Sequence, residues 1–275
     1  MGCREEASIL GALTRVGATI QEINTVRKHL SFARGGYIAK HAYPARVVSL
    51  IFSDVPGDDI QFISSGPTVK DRTTIEDAES ILSKYDVLNT CGIEKCGLIE
   101  TPKEDKYFER VKNIIVVSNM VALRGMEAKA RSLGLNPVLC TARLTGEARE
   151  AGKKIAGELH KVPSRTVLLY GGETTVTIRG RGHGGRNLEL VTAALGEIQD
   201  NELIMAVASD GRDNGEFAGA ICDKITKEEV RKRGIDWEEM LQDNNEYPLF
   251  EDIGHYLLTG DTGSNVADLF IALKE

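Results

Sequence analysis

The chain has 275 residues, of which 41% are hydrophobic and 27% charged, a globular composition with room for one large or two modest domains. Its net charge of -7 excludes a general nucleic-acid binder, which needs a basic excess, and no apolar run is long enough to span a bilayer. The start MGCREEAS does not read as a signal peptide. The odd, scattered set Cys3, Cys91, Cys96, Cys140 and Cys222 reads as reduced thiols in a cytoplasmic protein, without the paired spacing of a zinc site.

In chain order, Arg4 to Val16 has Ala7, Leu10, Leu13 and Thr14 on one side and predicts a helix. Ile20 to Leu30 predicts a second, with Arg27, Lys28 and His29 near its C-terminal end. There they either complement the helix dipole or meet an acidic ligand. Gly35 to His41 reads as a short helix. Arg46 to Phe52 is a near-continuous apolar strand of the kind that a parallel sheet covers on both faces. It ends at Asp54, Pro56, Gly57, Asp58 and Asp59, with Ser64 to Thr68 continuing the loop. Strand-end carboxylates lie where open α/β sheets bind ligands, and three in six residues suit Mg²⁺ as well as turn capping.

Thr73 and Thr74 cap a helix running to Tyr85, and Asn89 to Lys106 reads as a surface excursion. Asn113 to Ser118 is a second buried strand, Met120 to Leu133 a helix stopped by Gly134, Pro137 to Thr141 a third strand, and Thr145 to Lys161 a helix. This alternation predicts a doubly wound, mainly parallel α/β domain over residues 1–162, followed by a smaller α/β domain over 163–275.

The second domain opens on the most informative stretch, Leu168 to Leu190. An apolar run reaches Gly171 and Gly172. Glu173, Thr174 and Thr175 follow, and then an alternation of Val176 and Ile178 with polar residues predicts a half-buried strand. A loop with Gly180, Gly182, Gly184 and Gly185 among Arg179, Arg181, His183 and Arg186 feeds a helix from Asn187 to Leu195. Free amides, cations and a helix dipole make a small-anion site there, set against the plainer reading of a solvated basic loop. The strand Leu203 to Ala208 ends at Asp210, Arg212 and Asp213. Thr259 to Val266 is a third Gly/Thr/Asp turn. The loop lacks the G-x-G-x-x-G spacing of a dinucleotide fingerprint, and no Walker A loop or G-x-S-x-G elbow occurs, so a nucleotide would need another phosphate site.

Taken together, EINTVRKHLS (22–31), SLIFSDVPGDD (49–59), SSGPT (64–68), GGETTVTIRGRGHGGRNLEL (171–190), SDGRDN (209–214) and TGDTGSNVADL (259–269) resemble the class II glycerate kinases, whose C-terminal part is the MOFRL domain. The resemblance covers nearly the whole chain. It implies ATP- and Mg²⁺-dependent phosphorylation of D-glycerate to 2-phosphoglycerate, in a cleft between an α/β domain and a smaller MOFRL domain. Family members carry a further N-terminal segment with a Gly-Lys-Ala motif. This sequence starts after it, and AGKKIA at 151–156 is no substitute. Arg212 stands where the family more often has an uncharged residue.

On this reading Gly171, Gly172, Glu173, Thr174, Gly184, Gly185, Arg186, Asn187, Thr262 and Asn265 hold nucleotide phosphates. Asp54, Asp210 and Asp213 act on the metal or the substrate hydroxyl, with Asp54 and Asp210 as metal ligands. Arg27, Lys28, Ser65 and Arg212 bind glycerate. The alternatives are a phosphosugar isomerase or phosphatase on the same anion loops, or a ligand-binding fragment without turnover. Residues 1–275 are expected to fold and self-associate, as a homo-oligomer, and to turn over poorly.

Overall fold

The computed structural model describes residues 3–55, 57–94 and 96–275; Pro56 of the strand-end loop and the side chain of Cys3 lie outside it. The chain divides into two compact units. Residues 1–51 with 58–116 form one, and residues 52–57 with 117–275 form the other.

In the first unit, α1 (Cys3–Arg15), α2 (Ile20–His29), α3 (Tyr37–Ala42) and α4 (Ile75–Lys84) follow the periodicity of the sequence, whereas α5 (Val87–Cys91) runs into the stretch read as a surface excursion, whose Cys91, Ile93 and Leu98 pack against the core. Ile9, Ala12 and Leu13 of α1 meet Ile23 and Val26 of α2, with Leu30 after it, and Ala78 and Leu82 of α4, in one buried cluster. Thr19 and Thr74 each accept from an amide three residues on, while Glu22 and Asp77 return the bond, so α2 and α4 start on capping boxes.

β1 (Val47–Phe52) and β2 (Val111–Val117) pair as a two-stranded sheet. β1 departs from expectation: Val48, Leu50 and Phe52 are 56%, 62% and 67% exposed. An apolar run fixes that a segment prefers a strand, but not that both of its faces are covered.

In the second unit the sheet runs β3-β4-β8-β5-β6-β7. Its strands are β3 (Asn136–Leu144), β4 (Thr166–Gly172), β5 (Glu202–Ala208), β6 (Gly219–Cys222), β7 (Tyr256–Leu257) and β8 (Asp268–Lys274). β3 and β4 are parallel, and every other neighbouring pair is antiparallel. β4 is buried on both faces. Val167 and Leu169 meet Leu123 and Ala130 of α6 (Asn119–Ser132), while Leu168 and Tyr170 meet α7 (Ala148–Leu159) and α8 (Arg186–Leu195). α9 (Lys224–Arg233), α10 (Trp237–Gln242) and α11 (Glu246–Ile253) complete the layer that holds α7 and α8. α8 is buried from Asn187 to Leu195, more than the single apolar face read from its sequence.

The strand expected over Val176 to Arg179 does not form. Thr175 makes one bridge to Glu147, and Ile178 is 80% exposed. The amides of Arg179 and Gly180 donate to the Asn244 side chain instead of to a neighbouring strand.

Candidate functional site

The antiparallel register of β4, β8 and β5 sets Gly172 and Ala208 on either side of Asp268. The turns after β4 (173–175) and β5 (209–215) and the turn before β8 (259–267) therefore converge at one end of the sheet. Hydrogen bonds tie them together: Thr262 donates from its amide to the Asp210 carbonyl and from its hydroxyl to the Ser209 carbonyl, and Ser209 Oγ accepts from Val266 N–H. The N-terminus of α8 arrives at the same corner through its carboxylate partners. Asp213 Oδ2 accepts from the amides of Asn187 (3.0 Å) and Leu188 (2.9 Å). Arg186 grips Asp268 through Nε (2.6 Å) and Nη2 (3.0 Å) and reaches Glu173 at 3.2 Å.

The Gly-rich loop is tight for a reason the sequence did not show. A Cβ on Gly184 would lie 2.0 Å from Glu246 Oε2, and one on Gly185 2.4 Å from the Asp213 carbonyl. At Gly172, with φ +151, a Cβ would lie 2.2 Å from the Leu144 carbonyl. The loop closes on protein: Arg181 N–H donates to Asp243, Gly182 N–H to the Asp243 carbonyl, His183 N–H to Asn245 Oδ1, and Asn214 Nδ2 donates to the Gly184 carbonyl. Among the described residues no protein acceptor meets the amides of Gly184, Gly185 or Arg186.

Gly184, Gly185 and Arg186 line a cavity of about 500 Å³ together with Glu173, Thr174, Asp213 and Glu246. Thr174 and Glu246 are 3% and 1% exposed, and neither Thr174 Oγ1 nor Glu246 Oε1 has a hydrogen-bond partner. Buried polar atoms are rarely left unpaired, so such a pair on a cavity wall marks room for a ligand group. A groove of about 600 Å³ along 179–180 and 236–245 has only the exposed carboxylates Asp236, Glu239 and Asp243 with Arg179, and none of these orphaned atoms.

Burial dominates the electrostatics. It raises Asp213 to about 6 against the pull of the two α8 amides, with the Asp268 charge adding to the rise. Burial also raises Asp268, opposed by Arg186. Arg186 itself is lowered by burial, but its bonds to Asp268 outweigh that and leave it raised. Burial raises Glu246 to about 8, helped by the charges of Glu189 and Asp213 and opposed by its own amide and by Arg149.

The predicted residues divide clearly. Gly171, Gly172, Glu173, Thr174, Gly184, Gly185, Arg186, Asn187, Asp210, Asp213, Thr262 and Asn265 all lie at this corner. Asp210 accepts from Arg212 N–H with Oδ1, while the exposed Arg212 guanidinium pairs with Asp261. Asn265 Oδ1 accepts from Ala267 N–H and closes its own turn. Asp54 is exposed and meets no hydrogen-bond or ion-pair partner among the described residues. No group of three or more His, Cys, Asp or Glu among the described residues could hold a metal ion.

In the first unit, Lys28 is buried and paired to Asp71 at 2.9 Å, and Ser65 is buried and donates to Asn24 Oδ1 at 2.6 Å. Both are thus committed to protein partners. Arg27 is half-buried with an unpartnered Nε, and burial together with the Arg34 charge lowers its pKa. Ser64, Ser65 and Gly66 take three successive positive φ angles of 51°, 60° and 60°, a conformation costly for the two serines.

Sequence reasoning missed four residues: Asp268, Glu246, and the buried Arg149–Glu189 pair, bidentate at 2.9 and 3.0 Å. Glu189 also accepts from Asn244. The only signal in the sequence is polarity in otherwise apolar surroundings, at Glu189 inside NLELV and Asp268 inside VADLF.

Known proteins match this architecture over nearly all of the chain. Residues 1–94 fit the domain of unknown function DUF4147, and residues 166–268 fit the MOFRL family. A glycerate 2-kinase of Pyrococcus horikoshii is 41% identical over 95% of this chain and 63% of its own length. A D-glycerate 2-kinase of Thermotoga maritima is 37% identical over 98% of this chain and 66% of its own. The chain thus spans about two thirds of these relatives. The crystal structure of a glycerate kinase from Thermotoga maritima superposes with a TM-score of 0.90 at 34% identity, covering 100% of this chain and 68% of that one. With the α/β architecture, the strand-end corner and the similarity in agreement, the chain belongs to the MOFRL-type glycerate kinase family.

Proposed function

We propose that the protein transfers the γ-phosphoryl group of ATP to D-glycerate, giving 2-phosphoglycerate, and does so in the cytoplasm. The observation that carries this reading is the corner of the second unit. There three strand-end turns and the start of α8 leave the amides of Gly184, Gly185 and Arg186 and the Thr174 hydroxyl without protein acceptors beside a 500 Å³ cavity. Phosphoryl transfer is largely positioning and charge neutralisation, and such donors suit phosphate oxygens.

Magnesium, when bound, neutralises charge on the phosphates. The described residues gather no group of three or more carboxylate, His or Cys ligands, so the carboxylates left open to it are single ones: Asp210, which keeps one oxygen free, and the unpartnered Asp54. Asp213 and Asp268 are less suited, because amides and Arg186 already engage them. Arg27 is the cation offered to the glycerate carboxylate, since the neighbouring Lys28 is held by Asp71.

The test is D-glycerate-dependent release of ADP, with the product identified by phosphorus NMR. Slow formation of 2-phosphoglycerate, lost on Asp210→Asn at unchanged melting temperature, is expected. Bound ATP with no glycerate-dependent ADP release would contradict the reading and favour a binding module.

A further inference from the structure

Glu246 begins α11 on the wall of the cavity, where it is 1% exposed, and its Oε2 lies against Gly184. The ion pairs around it leave no cation to balance a charge. Arg149 of α7 is spent bidentate on Glu189 of α8. Arg186 of α8 is spent on Asp268 and Glu173. The groups facing Glu246 from α8 and from the turn after β5 include two more carboxylates, Glu189 and Asp213. From the Gly-rich loop the His183 carbonyl accepts from the neighbouring Tyr247 N–H, and the Arg233–Asp252 pair joins α9 to the far end of α11. A carboxylate in this position would be an uncompensated buried anion. A carboxyl group avoids that cost but leaves an O–H with no acceptor, since Oε1 meets no protein partner.

We infer that Glu246 carries its proton in the ligand-free protein and donates it as a hydrogen bond to an acceptor oxygen of the ligand, which makes it a binding residue of this site. The other unengaged groups on the wall point to the same ligand chemistry. Thr174 Oγ1–H and the amides of Gly184 to Arg186 are all donors, so the cavity suits an acceptor-rich group such as a phosphoryl, carboxylate or hydroxyl oxygen. The rise of the Glu246 pKa to about 8 agrees with this count of charges. The inference rests on the phosphotransferase reading for the choice of ligands, ATP and D-glycerate, and the two are titrated separately to show which one supplies the oxygen.

The experiment is calorimetric titration of the whole chain with each ligand from pH 6.5 to 9.5, on the order of half a unit per step. For at least one ligand, wild-type affinity should fall by roughly tenfold per pH unit above about 8, as the proton is lost. Glu246→Gln keeps a donor without titrating. It should bind within about threefold of wild type at neutral pH and show no such fall, while Glu246→Ala should lose about tenfold. An equal fall in Glu246→Gln, or no fall in wild type, overturns the inference and leaves the phosphotransferase reading standing. Binding of neither ligand by wild type contradicts that reading and the inference with it. Difference infrared spectroscopy of the wild-type chain needs no variant: a protonated-carboxyl band should shift when ligand is added, and a spectrum without that shift overturns the inference.

Discussion

Arg186 serves the fold as well as any ligand, because Asp268 behind it is fully buried. Arg186→Ala would leave that carboxylate uncompensated. The expected loss is about 2–3 kcal/mol, below that of a wholly buried pair because Arg186 is partly exposed. Adding Asp268→Asn should recover part of the loss, and thermal melts of the two variants check this. Glu246 gives a pH signature of the opposite sense from an ordinary carboxylate. Its folded value of about 8 lies above its ordinary 4.5, so its contribution to stability is full below about 4.5 and is lost as pH rises through about 8. Glu246→Gln should therefore melt like wild type near pH 4 and become relatively more stable toward pH 9, by on the order of a few kcal/mol. Equal melting temperatures at both ends would contradict the burial argument. At this scale the sequence exposed Arg186 and Asp213, because charges beside glycines stand out. It hid Asp268 and Glu246, whose meaning comes from burial and from partners far along the chain.

At the level of elements, α7 and α8 lie so close that the distance itself is testable. A Cβ on Gly152 would meet the Leu190 carbonyl at 2.1 Å, whereas one on Gly157 of the same helix would meet nothing within 4 Å. Gly157→Ala should gain up to about 1 kcal/mol from helix propensity. Gly152→Ala should lose about 2 kcal/mol or more by forcing the helices apart. Chemical denaturation of both variants decides it, and a gain at both positions would refute the close approach. Helices α1, α2 and α4 were legible because apolar spacing and capping residues agree. The segment 176–179 was not: its alternation suits a strand, but Asn244 takes the amides that a neighbouring strand would need. The burial of α8 was underestimated because Asn187, Glu189 and Thr192 read as polar while lying fully buried among partners.

For the whole molecule, the exposed row Val48, Leu50 and Phe52 on β1 is an apolar face of a kind that tends to be covered by another chain. Self-association should be visible by sedimentation, and Leu50→Lys should shift it toward monomer; an unchanged distribution would remove β1 from the contact. The α/β class and the order of the motifs were readable along the chain. The sheet order that gathers three distant turns at one end was not, because it depends on β8, the last strand, inserting between β4 and β5. Hydrogen–deuterium exchange with and without Mg²⁺-ATP tests that convergence. Ligand should slow exchange together in the turns at 173–175, 184–187, 209–214 and 262–265. Protection confined to other segments, or no change in these turns at saturating ligand, would contradict the site.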